Sequence, residues 1–199
     1  ADAIVWHDRR TADYCNALQE SGKEELVQKR TGLLLDPYFS GSKIRWMLKH
    51  NEKVKGSAHF KDCAFGTIDT YLVHKLTGGK NHLTEPSNAS RTSLFNLQSL
   101  SWDSEMLALF EVPSHILPAV IDSNSNFGVT KGVRNLPDGI PIAGILGDQQ
   151  AALLGQACVD SGSAKCTYGT GSFILFNTGN AIPASSHRLL STVAWKMKS

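Results

Sequence analysis

The chain has 199 residues, 41% hydrophobic and 19% charged, with a formal net charge of +2, which is the profile of an ordinary globular protein. The small basic concentrations at Arg9-Arg10 and Lys196-Lys198 argue against nucleic-acid binding, and no apolar stretch approaches the roughly 20 residues of a membrane helix. Four cysteines without a CxxC pair and seven scattered histidines argue against a zinc site and a disulfide framework, so they read as reduced residues of a cytoplasmic protein with no visible signal peptide.

Ala3 to Trp6 reads as a buried strand. Thr11 can cap a helix running to about Lys29, with Asp13 favourable in its first turn and Gly22 a point where it can split. Thr31-Gly32 is a stop signal. Asp36-Pro37-Tyr38 is a turn, because proline presets φ and aspartate supports an Asx turn. Ser40 caps a helix through His50, with Ile44, Met47 and Leu48 on one face. Phe65 to Leu76 is a further helix.

The stretch from Leu83 to Thr92 is polar and without a long apolar period, so it reads as a functional or interdomain loop. A short strand follows at Leu94 to Leu97, and Asp103 caps a helix to about Phe110. Pro113 to Pro118 is irregular, Phe127-Gly128-Val129 suggests a strand edge, and Gly132 to Gly139 is a loop with a Pro-Asp-Gly turn. Ile142 to Leu146 reads as a buried strand, and Gln149 to Cys158 as a helix. Asp160-Ser161-Gly162 marks a domain boundary, dividing 1–160 from 161–199. Ser163 to Tyr168 and Ser172 to Asn177 form a hairpin joined by Gly169-Thr170-Gly171, with Thr192 to Trp195 as a candidate third strand.

Two features carry chemistry. Asp148 stands at a strand-to-helix junction, where a carboxylate can accept the proton of an alcohol that attacks phosphorus. On spacing alone a helix N-cap is the simpler reading. Gln149 beside it can hydrogen-bond hydroxyls in both directions. Gly169-Thr170-Gly171 can cradle a phosphate or can simply close a hairpin. Trp6 and Phe173 offer aromatic faces to the C–H edge of a polyol or to a core, and Tyr38 offers a hydroxyl. The residues alone therefore stop at an α/β domain with a candidate base and a candidate phosphate loop.

Taken together, these motifs resemble the FGGY carbohydrate kinases, and within them the glycerol kinases. The matching stretches are Ala3-Ile4-Val5-Trp6 with Arg9-Arg10-Thr11, Thr31-Gly32-Leu33, Asp36 to Ser40, Lys43-Ile44-Arg45-Trp46, and Phe65 to Thr70. They continue through Thr77-Gly78-Gly79, Asn88 to Thr92, Gly147 to Ala152 and Thr167 to Gly171. Asp36-Pro37-Tyr38, Asn88 to Thr92 and the doubled Gln149-Gln150 favour the glycerol branch over xylulose or ribulose kinases.

The resemblance implies an α/β actin/hexokinase-like (ribonuclease H-like) fold. It would hold most of a glycerol-binding N-terminal FGGY domain at 1–160 and the first strands of an ATP-binding C-terminal domain at 161–199. It implies ATP-dependent phosphorylation of glycerol to sn-glycerol 3-phosphate, with Mg²⁺ accompanying ATP/ADP, in a homo-oligomeric parent. Carried over by residue, Asp148 would be the catalytic base and bind glycerol with Trp6, Tyr38, Gln149 and Phe173. Gly169 and Thr170 would contact nucleotide phosphates, and no protein-held metal site is implied. A family member also carries a glycine-rich phosphate hairpin and an Arg-Glu pair upstream of Trp6, and an adenosine site beyond Ser199. The expectation is thus a central fragment, inactive alone. A non-catalytic polyol-binding module is the reading from a different class.

Overall fold

The structure, a computed structural model, describes residues 2–59, 62–169 and 171–198. Two short helices come first, α1 (Ala12–Glu20) and α2 (Glu24–Thr31). The split falls at Gly22, whose φ of +74° lets the chain reverse while Ser21, Gly22 and Lys23 donate back into the last turn of α1. At the end of α2, Gly32 adopts φ +70° and donates to Gln28 at 2.8 Å. A Cβ there would stand 2.5 Å from the Ser191 carbonyl, so both conformation and space require glycine.

Helix α3 (Ser40–His50) follows, with Phe39 rather than Ser40 at the N-cap position, and then α4 (Glu52–His59), a helix with no counterpart in the sequence reading. Helix α5 (Ile68–Leu76) begins three residues later than the apolar spacing suggests. The backbone of Phe65 is occupied elsewhere: its N–H donates to Ile116 at 2.7 Å, and its carbonyl meets His82 Nε2 at 2.6 Å.

Strand β1 (Leu83–Thr84) leads into the one-turn helix α6 (Pro86–Ala89). Then come β2 (Phe95–Asn96), β3 (Ser101–Trp102), α7 (Ser104–Leu109), a 3₁₀ turn at Ser114–Ile116, and β4 (Ala119–Val120), parallel to β1. Asp103 caps α7 by accepting from the Glu105 and Met106 amides at 2.9 and 3.1 Å. The core lies where α2, α3, α7 and the segments around them meet, and it buries Val27, Leu35, Ile44, Leu94, Met106 and Phe110. Helix α8 (Asp148–Gly155) and the antiparallel hairpin β5 (Ala164–Tyr168) and β6 (Ser172–Phe176) complete the regular structure.

Four expectations are corrected. Ala3 to Trp6 is not a strand; the Val5 and Trp6 carbonyls accept from Lys43 Nζ instead of from a neighbouring strand. Ile142 to Leu146 forms no regular strand and is only partly buried. Its backbone bonds are scattered, from Ile142 to Gly128 and from Ile145 to Ser123, so no continuous ladder forms.

Thr192 to Trp195 does not extend the hairpin. Residues 188–198 run back across the first part of the chain, through Arg188–Glu24 at 2.7 Å, Ser191–Gly32 at 2.9 Å, Thr192–Ser90 at 2.7 Å and Lys196–Ser123 at 3.1 Å. The Leu83 to Thr92 stretch, read as a functional or interdomain loop, instead carries β1 and α6 and is mostly buried. Thr84, Glu85, Ser87, Ser90 and Thr92 are buried, and each hands its polar atoms to a partner inside the fold.

Candidate active site

One wall is built by a buried lysine. Lys43 lies on α3 with its ammonium donating to the carbonyls of Val5 at 2.8 Å, Trp6 at 3.2 Å and Tyr38 at 3.2 Å. An ammonium has three donors, and here all three tie together segments far apart in sequence. Burial pulls the Lys43 amine below the ordinary lysine range, while the Asp8 and Asp36 carboxylates work in the other direction. The tie fixes Trp6 against Tyr38, whose ring centroids are 5.7 Å apart at 52°. Tyr38 is held further by its own Asx turn, its N–H donating to Asp36 Oδ1 at 2.8 Å. Both rings still face outward, with Trp6 58% and Tyr38 38% exposed.

Arg91 links this wall to Asp148. It follows α6, and its guanidinium lies 5.1 Å from the centroid of the Phe39 ring. Burial lowers the guanidinium from its usual range, while the charge and hydrogen bond of Tyr38 and the charge of Asp148 oppose that shift. Tyr38, Arg91 and Asp148 therefore share one electrostatic neighbourhood.

Asp148 is the first residue of α8, and the N-cap position belongs to Gly147. The expected N-cap role is thus shifted by one residue. The Asp148 carboxylate is exposed and accepts from the Gln149 amide at 2.8 Å. Its place in the first helical turn favours the negative charge. The turn beneath it is anchored, because the Gly147 N–H donates to Ser87 Oγ at 2.8 Å and Ser87 Oγ donates in turn to Glu85. Glu85 is fully buried and also accepts from the Ser87 and Asn88 amides, Asn88 Nδ2 and Ser123 Oγ. A Cβ at position 147 would stand 2.6 Å from Gln150 Oε1, so a larger residue there would displace the end of that side chain.

Gln149 is half-buried, and its Oε1 accepts from Lys165 Nζ on β5. Phe173 stands on β6 opposite Thr167, with its ring folded over Gly171, where a Cβ would meet it at 2.9 Å. Among the described residues no ring contact joins Phe173 to Trp6 or Tyr38. The Gly169 N–H donates to the Gly171 carbonyl at 3.1 Å, so the hairpin turn itself uses that donor. Thr170 lies outside the described residues. No group of three or more His, Cys, Asp or Glu side chains suited to a metal occurs among the described residues.

The site therefore contains residues that sequence reasoning did not single out for it. Arg91 and Ser87 lie in the polar stretch read as a loop, and Lys165 lies on a hairpin strand. Lys43 enters the sequence reading only within the matching stretch Lys43-Ile44-Arg45-Trp46.

Chains of known identity resemble this one closely. The glycerol kinase of Myxococcus xanthus (strain DK1622) is 55% identical over 195 residues, covering 98% of this chain and 39% of that protein. The glycerol kinase of Bdellovibrio bacteriovorus is 51% identical over 197 residues, covering 99% and 40%. The chain thus spans about two-fifths of the length of these relatives. The crystal structure of Plasmodium falciparum glycerol kinase with ADP superposes with a TM-score of 0.93 at 39% identity, over 98% of this chain and 39% of that one. A ligand-bound xylulose kinase from Lactobacillus acidophilus, at TM-score 0.74 and 20% identity over 87% of this chain and 35% of that one, shares the fold. The fold is that of the actin/hexokinase-like sugar kinases. Residues 1–155 match the N-terminal domain of the FGGY family of carbohydrate kinases, and the chain belongs to that family.

Proposed function

We propose that this chain carries the substrate-binding side of an ATP-dependent glycerol kinase that forms sn-glycerol 3-phosphate. The observations that carry the reading are the Trp6–Tyr38 aromatic pair tied down by Lys43 and the exposed Asp148 carboxylate on the anchored start of α8. The high identity to glycerol kinases favours glycerol over pentuloses, since the xylulose kinase likeness extends to the fold alone.

Trp6 offers its face to the carbon chain of glycerol, and Phe173 stands on the hairpin that would close the opposite side. Tyr38 and Gln149 take hydroxyls. Asp148 orients the terminal hydroxyl and receives its proton as the oxygen attacks the γ-phosphorus. The new O–P bond forms, the bond from the γ-phosphorus to ADP breaks, and the proton ends on the Asp148 carboxylate. Gly169 and Thr170 belong to the nucleotide side. Mg²⁺ accompanying the nucleotide would neutralise phosphate charge. Glu85 would take no part in holding it, being saturated by internal donors. The division near residue 160, a cytoplasmic location and a homo-oligomeric state belong to the same reading, and four unpaired cysteines support the location.

The test is a coupled assay of the full-length protein with glycerol, xylulose and ribulose in competition. Preferential turnover of glycerol is expected, and preferential turnover of a pentulose would reject the substrate assignment. Glycerol binding with no nucleotide effect would instead support a non-catalytic module.

A further inference from the structure

Lys165 is a buried lysine that the reaction described above does not use. It lies on β5 and is 3% exposed. Its ammonium donates to Gln149 Oε1 and, at 2.7 Å, to Thr167 Oγ1. No carboxylate lies within ion-pair distance of it among the described residues. A buried cation with only neutral partners is costly, and an apolar side chain of similar length would fill the space more cheaply. Its retention beside a residue adjoining Asp148 needs a reason in the chemistry of that residue.

The reason follows from donor and acceptor inventories. An ammonium only donates. A glutamine side chain facing it must therefore present its carbonyl, because the flipped amide would set N–H against N–H. With the amide fixed so that Oε1 meets the ammonium, which takes one of its two lone pairs, Nε2 is the end of Gln149 that offers donors to a ligand acceptor.

We propose that Lys165 is a positioning residue that locks Gln149 as a hydrogen-bond donor, so that the site selects a substrate oxygen that accepts at that point. A free glutamine could serve donors and acceptors alike; a locked one discriminates. This inference rests on the glycerol kinase reading.

The experiment uses the full-length protein and its Gln149→Glu, Lys165→Met, Gln149→Ala and double Lys165→Met/Gln149→Ala variants. Glutamate keeps an acceptor for Lys165 but has no donor for substrate. Gln149→Glu is therefore expected to raise the glycerol KM about tenfold, the loss of one hydrogen bond, with a melting temperature at or above wild type and an ATP KM within about twofold. Lys165→Met, if it folds, raises the glycerol KM similarly in the wild-type background and adds nothing to Gln149→Ala. An unchanged glycerol KM in Gln149→Glu overturns the inference. So does a Lys165→Met effect that falls on the ATP KM or persists in full on Gln149→Ala. Failure of the wild-type protein to phosphorylate glycerol overturns the reaction and the inference together; wild-type turnover with an unaffected Gln149→Glu overturns the inference alone.

Discussion

The Ser87 hydroxyl accepts the backbone N–H of Gly147 at 2.8 Å, across 60 residues of chain, and passes its own proton toward the buried Glu85 carboxylate. Helix α6 and the turn that presents Asp148 are thereby one unit. The same carboxylate binds Ser123 Oγ at 2.7 Å, which in turn receives the Lys196 amide at 3.1 Å. Replacing Ser87 with alanine leaves the Gly147 N–H without its partner and Glu85 short of a donor. We predict a loss of about 1–3 kcal/mol in urea unfolding, as for a buried group left unsatisfied. In the full-length protein, on the proposed reading, kcat should fall more than the ATP KM rises, because the displaced group is the proposed base rather than the nucleotide side.

Lys43 makes a different kind of joint. Its three bonds to Val5, Trp6 and Tyr38 set the aromatic wall in place. Lys43→Met removes all three ammonium donors at once, leaving the Val5 carbonyl with the Asp8 amide at 3.1 Å. Stability should fall by at least about 2 kcal/mol, and the glycerol KM should rise while the ATP KM stays near wild type. Calorimetric unfolding and steady-state kinetics check the two halves. An equal rise in both KM values would disconnect Lys43 from the polyol wall.

Asp103 gives the pH dependence. Burial alone raises its carboxyl, but the Asn96 side chain and the Met106 and Glu105 amides together hold it below the usual 3.8. A depressed folded-state value means the unfolded chain binds the proton more readily. The stabilisation is therefore present above pH 3.8 and lost as pH falls through the lower folded value. Asp103→Ala should cost about 1–2 kcal/mol at pH 7, the worth of a helix cap, and progressively less below pH 4. Denaturation curves of both proteins at pH 7 and pH 3 measure the convergence.

Gly32 tests the return of the C-terminal segment. Alanine there meets a φ of +70° and the Ser191 carbonyl at 2.5 Å, with Leu97 Cδ1 at 2.6 Å. We predict a loss of more than about 1 kcal/mol. Faster cleavage at Arg188 by trypsin would accompany it, as the Arg188–Glu24 and Ser191–Gly32 contacts open.

Local rules made some of this architecture legible. Asp103 as a cap, Gly22 and Gly32 as breaks, the Asp36 turn and the hairpin of β5 and β6 all follow from chemistry within a few residues. The reading failed where partners are distant. Leu83 to Thr92 is as polar as a loop, yet Glu85 and its hydroxyl neighbours are buried because their donors and acceptors close on one another. Ala3 to Trp6 has a strand's composition, but its carbonyls go to Lys43 on a helix. Trp6, Tyr38, Asp148 and Gln149 are legible from the sequence as residue types suited to the proposed site. Arg91 and Lys165 were not, because an isolated basic residue has no local pattern that distinguishes a buried role from a solvated one.

The most direct measurement is phosphoryl transfer by full-length Asp148→Asn, with glycerol binding followed by calorimetry on the same preparation. Asparagine keeps the size and a hydrogen-bonding oxygen but cannot receive the proton. We expect kcat to fall about 10²–10⁴-fold, the range of general-base loss, while glycerol still binds within about tenfold of wild type. Turnover close to wild type would contradict the assignment of Asp148 as the base.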